Sequence, residues 1–75
     1  MTLLDVVFKY GNPPGERAMM AVNNAREVYG VRKIRFDQHH STVRVEYDAS
    51  RLDDNEIAGI LRRAGIDVQG KIQLI

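Results

Sequence analysis

From Leu3 to Tyr10 the chain alternates, with Leu4, Val6, Phe8 and Tyr10 at one parity and Asp5, Val7 and Lys9 at the other. Period-2 alternation predicts a strand with one buried face. The stretch Gly11-Asn12-Pro13-Pro14-Gly15 ends it, because neither proline can donate to a sheet ladder. The period then changes. Ala18, Ala21, Val22, Ala25 and Val28 recur at steps of three and four, with Arg17, Asn23, Asn24 and Arg26 largely off that stripe. This predicts an amphipathic helix running to about Tyr29. Asn12 is its expected cap, a proline is tolerated in its first turn, and Glu16 lies near the positive end of its dipole. Gly30 is the expected left-handed terminator.

Val31, Ile34 and Phe36 alternate unevenly with Arg32, Lys33 and Arg35, a strand entered through an irregular step and ending near Asp37. The polar stretch Gln38-His39-His40-Ser41 precedes Val43, Val45 and Tyr47, which alternate cleanly with Thr42, Arg44 and Glu46. Together they predict an antiparallel hairpin with a loop of about four residues. Asp53 and Glu56 have capping-box spacing, and Leu52, Ile57, Ile60, Leu61 and Ala64 form a second helical stripe that Gly65 stops. Ile66, Val68, Ile72 and Leu74 sit at even spacing with Gly70 among them, predicting a last strand bulged or split at the glycine.

The order strand, helix, strand, strand, helix, strand predicts an α+β, ferredoxin-like βαββαβ fold: a four-stranded antiparallel sheet with two helices on one face. The opposite sheet face is expected to be mixed and mostly solvated, carrying Leu3, Asp5, Val7, Lys9, Arg35, Thr42, Arg44, Glu46, Asp67, Gln69 and Lys71.

Composition narrows the function more than it names it. Seventy-five residues read as one domain, 1–75, and a chain of this length buries only about 60% of its unfolded surface, which leaves little room for a deep cleft. A net charge of +1 implies no strong field for nucleic acid or an anionic membrane. The absence of cysteine excludes a disulfide, a thiolate metal site and a cysteine nucleophile. No apolar run approaches the roughly 20 residues needed to span a bilayer, and the first residues lack a basic lead, so a cytoplasmic location is the expectation.

The residues resemble the heavy-metal-associated domain family of copper chaperones and metal-transporting ATPases. The resemblance rests on Gly11, on Gly30-Val31 with Ile34, Phe36 and Asp37, on Val43, Val45, Tyr47 and Asp48, and on Leu52, Ile57, Leu61, Ala64 and Gly65. It covers nearly the whole chain. It is most specific in Val-x-Val-x-Tyr-Asp of strand three and in Ala64-Gly65-Ile66-Asp67-Val68, similar to the family's Ala-Gly-Tyr-Asp-Val. Metal-binding members carry Gly-Met-x-Cys-x-x-Cys after strand one. Aligned on Gly11 and Gly30, Asn12 falls at the methionine, Pro14 at the first cysteine and Arg17 at the second. Strand one is shifted by one against the family's alternation, as a shortened loop would make it. The resemblance implies the family's fold without its soft-metal site, since proline offers no donor atom and arginine is a permanent cation.

The expected function is a small binding or assembly module without catalysis or a cofactor, meeting a protein partner through the loop and first helix. Asn12, Pro14, Arg17, Met19 and Met20 are the candidate contacts. Arg17 and the first-turn amides could hold an anion; the plainer reading is a solvated arginine. Met19 and Met20 could offer thioethers to Cu(I); ordinarily one such methionine packs near Phe8. The alternative function is metal binding through non-thiolate ligands, a divalent transition metal or Cu(I) held by His39 and His40 with Asp37 as third ligand, against the plainer reading of a polar turn. Self-association through a strand edge or the Leu3–Val7 sheet stripe is a further route. An RNA-recognition role is disfavoured, because Arg44 and Glu46 stand where such modules place stacking aromatics.

Overall fold

The structure is a computed structural model describing residues 2–74, with side chains described through Ile72. Leu74, expected among the apolar positions of the last strand, has its side chain outside the described set. The elements are β1 (Leu3–Tyr10), α1 (Glu16–Ala25), β2 (Val31–Asp37), β3 (Thr42–Asp48), α2 (Asp54–Arg63) and β4 (Val68–Leu74). One four-stranded antiparallel sheet runs in the order β2-β3-β1-β4, the expected ferredoxin-like arrangement.

Alternation decides what the sheet buries. Val6, Phe8 and Tyr10 of β1, Ile34 of β2 and Val43, Val45 and Tyr47 of β3 join Val22 and Ala25 of α1 and Ile57, Ala58 and Leu61 of α2 in a single cluster. Both helices therefore cover the same sheet face. Burying a side chain such as Ile57 or Leu61 stabilises the fold by about 2 kcal/mol, so these few large residues carry much of a small domain's stability. Burial also raises the Tyr47 phenol above its ordinary value, reinforced by the nearby charges of Asp54 and Asp53.

Three expectations are corrected. Helix α1 ends at Ala25 and not near Tyr29. Beyond it the backbone tightens into bonds of the i to i−3 kind, Glu27 N–H to Asn24 O at 3.0 Å and Val28 N–H to Ala25 O at 3.1 Å. The step from Ala25 to Val28 fits such a turn as well as an α-helix, so periodicity did not separate the two. Gly30 does have the predicted positive φ, +103°, but it closes this turn and not the helix, and Val28 is 38% exposed.

In β4, Ile72 is 54% exposed where even spacing placed it in the core. Register against β1 runs Tyr10–Val68, Lys9–Gly70, Phe8–Lys71 and Val7–Gln73, so Gln69 and Ile72 are extra residues on either side of Gly70. The expected irregularity at the glycine is a pair of bulges, and each reverses the parity of the residues after it. For the same reason Lys71 leaves the open sheet face: its ammonium reaches Asp54 of α2 at 2.7 Å. The pair lowers the Asp54 carboxyl and raises the Lys71 amine, in each case chiefly through their shared hydrogen bond.

The third correction is the start of α1. Its cap is Gly15, in extended conformation with φ −80° and ψ −177°, and no side chain, that of Asn12 included, caps it.

Candidate functional site

Three turns meet at one end of the sheet. Strand β1 runs into 11–15 there, the β2–β3 hairpin turns through 38–41, and the chain enters β4 after 64–67. Two contacts tie them: Tyr10 N–H donates to Ser41 O at 3.0 Å, and Gly11 N–H donates to Asp67 O at 2.9 Å. The hairpin turn thus shares an end with the loop that resembles the family's metal loop.

The Asp67 side chain organises the first few loop residues. Its Oδ2 accepts the Asn12 N–H at 3.0 Å, and its Oδ1 accepts from Gln69 Nε2 at 3.1 Å. Gly11 leaves room for this clasp: a Cβ there would lie 2.5 Å from Asp67 Oδ2 and 2.7 Å from Gln69 Nε2, so both side chains would have to shift. Asp67 and Gln69 are the residues that pattern reading left unassigned at this site. The signal for Asp67 was the match of Ala64-Gly65-Ile66-Asp67-Val68 to the family's segment, which marks the residue without showing what it holds; Gln69 had none.

Beyond Asn12 the loop is thinly fastened. Asn12, Pro13, Gly15, Glu16 and Arg17 are exposed, and Pro14 is half-buried. The first helical bond is Met19 N–H to Gly15 O at 3.0 Å. Ala18 packs on the core cluster, Met19 is half-buried and Met20 is 64% exposed. Arg17 has no ion-pair partner among the described residues. The loop therefore presents a proline ring, a free guanidinium and a thioether to solvent at the head of α1.

The loop offers a soft metal no thiolate. Pro14 has no ligand atom, Arg17 cannot deprotonate, and thioethers alone are weak ligands for Cu(I). In the hairpin turn, His40 Nδ1 and Asp37 Oδ2 are 2.8 Å apart, and His40 N–H donates to Asp37 Oδ1 at 3.3 Å. The hydrogen bond from His40 holds the Asp37 carboxyl below its ordinary range. The His39 ring stands edge-on to His40, with centroids 5.3 Å apart. All three side chains are exposed, and among the described residues no group of three or more His, Cys, Asp or Glu is placed to hold a metal ion.

The open sheet face is solvated as expected, with Arg44 Nε 3.8 Å from Asp5 Oδ2 at its centre and Arg35 directly opposite Arg44. Leu3 is 43% exposed and Val7 half-buried, so the apolar stripe of β1 is narrow. No helix among the described residues is long and apolar enough to cross a membrane.

No protein-family model and no curated protein matches the sequence. Among solved structures the chain is similar to the yeast copper transporter domain Ccc2a, determined in apo and Cu(I)-loaded states, with 18% identity, a TM-score of 0.73, and coverage of 93% of this chain and 96% of that one. At this identity the likeness establishes architecture. The chain has the ferredoxin-like fold that the yeast domain also has, built without a cysteine.

Proposed function

We propose that the chain is a non-catalytic binding or assembly module on a heavy-metal-associated scaffold, with soft-metal carriage lost and the loop 11–17 and the head of α1 given over to a protein partner. The observation that carries this is one of contrast. The scaffold superposes along nearly its whole length on a domain described as a copper transporter, yet at the loop this chain offers Pro14 and the unpaired Arg17 in place of thiolates. Exposed Met20 and half-buried Pro14 supply apolar area, Arg17 supplies one fixed charge, and that combination suits a protein surface with an acidic group better than a metal ion.

Two measurements test it. Titration of the protein with Cu(I), followed by amide shifts, is expected to leave residues 11–20 unmoved; saturable shifts there overturn the loss of carriage. The double substitution Pro14→Cys with Arg17→Cys is expected to introduce Cu(I) binding, since the loop would then place two thiolates three positions apart at a helix start. If the double variant folds and still takes no Cu(I), the loop is not the counterpart of the family's metal loop.

A second reading, a divalent transition metal held by His39 and His40, draws on the Asp37–His40 pair. A carboxylate on Nδ1 fixes the ring and leaves Nε2 as the ligand atom, the usual second partner of a metal-binding histidine. Titration with Zn(II), Ni(II) and Cu(II) decides it: saturable micromolar shifts confined to residues 37–41 favour this reading, and none remove it.

A further inference from the structure

At the centre of α2 lies a glycine that no packing among the described residues requires. A Cβ built on Gly59 meets no atom within 4 Å, and its backbone is not left-handed. Glycine weakens a helix interior relative to alanine, and the open space above Gly59 leaves room for a close approach from outside. Gly59 is half-buried in a surface groove whose apolar wall is Val28, Leu52 and Ile60. Leu52 and Ile60 rest on the core cluster below, while Val28 opens to solvent.

The same groove is lined by Asp53, Asn55 and Glu56 from the start of α2 and by Arg63 from its last turn. Glu56, Gly59, Ile60 and Arg63 follow one another at i, i+3, i+4 and i+7, which puts them in a single stripe along the helix. The stripe is its own complement when turned end for end. With two α2 helices antiparallel about a two-fold axis at its midpoint, Ile60 of each copy covers Gly59 of the other, and Glu56 of each faces Arg63 of the other. Both charges can take a partner. Arg63 makes no ion pair among the described residues, and the Glu56 carboxylate accepts only the Asp53 N–H, at 3.3 Å.

We infer that the groove along α2 is a self-association surface whose occupant is the α2 stripe of a second copy of this chain. The opposite signs at the two ends, Asp53 and Glu56 against Arg63, select that occupant: a partner of uniform sign would be repelled at one end, whereas a second copy turned end for end presents the opposite sign at both. A single helix pair lies at the small end of interface sizes, so association is weak and depends on concentration. The inference concerns a different surface from the loop at the head of α1 and does not rest on that reading.

Sedimentation and amide-shift dilution series from the micromolar to the millimolar range test it on the intact chain. The native protein is expected to self-associate, with shifts centred on Val28, Glu56, Gly59, Ile60 and Arg63. Gly59→Gln fills the crossing point with a helix-favouring side chain in open space; it is expected to be monomeric and to melt no lower than the native protein. Glu56→Arg and Arg63→Glu, each checked for folding by circular dichroism, are expected to be monomeric alone and to pair when mixed, because the mixture restores opposite charges at both ends. A native protein monomeric throughout the range, undiminished association of Gly59→Gln, or folded charge variants that fail to pair would each overturn the inference.

Discussion

The two strand-to-helix junctions of this fold occupy matching places in its two halves and are built in opposite ways. After β3, Asp48 is 5% exposed; its Oδ1 accepts Ser50 Oγ at 2.6 Å, Ser50 N–H at 3.0 Å and Thr2 N–H at 3.1 Å. Helix α2 then starts on a complete capping box, with Glu56 N–H donating to Asp53 Oδ1 at 2.7 Å, and carries Asp54 and Glu56 in its first turn and Arg62 and Arg63 in its last. After β1, the chain is fastened at Gly11 and Asn12 and then crosses two prolines to a glycine cap without a side-chain bond. Helix α1 has no basic residue in its last turn. One junction spends its polar groups on the fold; the other leaves them facing outward. The under-fastened junction is what makes residues 11–17 the contact surface proposed above.

Substitutions at four positions bear on that contrast, in descending order of expected effect. Asp48→Ala removes the one carboxylate that ties the Thr2 amide and the Ser50 amide and hydroxyl to the end of β3, three hydrogen bonds to a charged acceptor at once. It is expected to produce the largest fall in urea midpoint of the four. The same carboxyl gives the fold a pH dependence. Ser50 and the Thr2 amide hold it at about 2, below the ordinary 3.8. Because the folded value is the lower one, its stabilisation is complete above about pH 4 and is lost as pH falls through about 2. Acid titration of stability should show that loss, and Asp48→Asn should flatten it; an unchanged slope would mean that other carboxylates govern acid unfolding.

Asp53→Ala, which breaks the capping box, is expected to cost about 1 kcal/mol in chemical denaturation. Its mirror experiment is Gly15→Ser, for which the backbone is already extended and a Cβ meets nothing within 4 Å. Giving α1 the cap it lacks should raise stability by a few tenths of a kcal/mol, roughly the difference between glycine and serine caps. A loss in place of that gain would show that the loop needs glycine at this position.

Arg17→Glu sharpens the comparison most for function and least for stability. The side chain is exposed and unpaired, so the folding free energy should stay within about 0.5 kcal/mol of native. Proteins captured through the loop by the native chain should be lost by this variant. Equal capture by both would place the contact elsewhere.

Much of this was legible from residue order. Alternation located β1, β2 and β3, since a strand with one dry face must repeat every second residue, and Asp53 with Glu56 announced the start of α2 because a capping box is local chemistry. The resemblance carried by Gly11, Val43-x-Val45-x-Tyr47-Asp48 and Ala64 to Val68 anticipated the architecture, and the absence of cysteine excluded a thiolate site. What residue order left undecided depended on partners distant in the chain. The end of α1 turned on i to i−3 bonds that share the spacing of a helix. The exposure of Ile72 and the turn of Lys71 toward Asp54 turned on two bulges, which are set by pairing with β1 and leave no periodic mark. Asp67 could not be seen to clasp the loop at Asn12, 55 residues away in sequence. The stripe Glu56, Gly59, Ile60 and Arg63 was present in the sequence throughout, but only the packed fold showed that nothing among the described residues fills the space above its glycine.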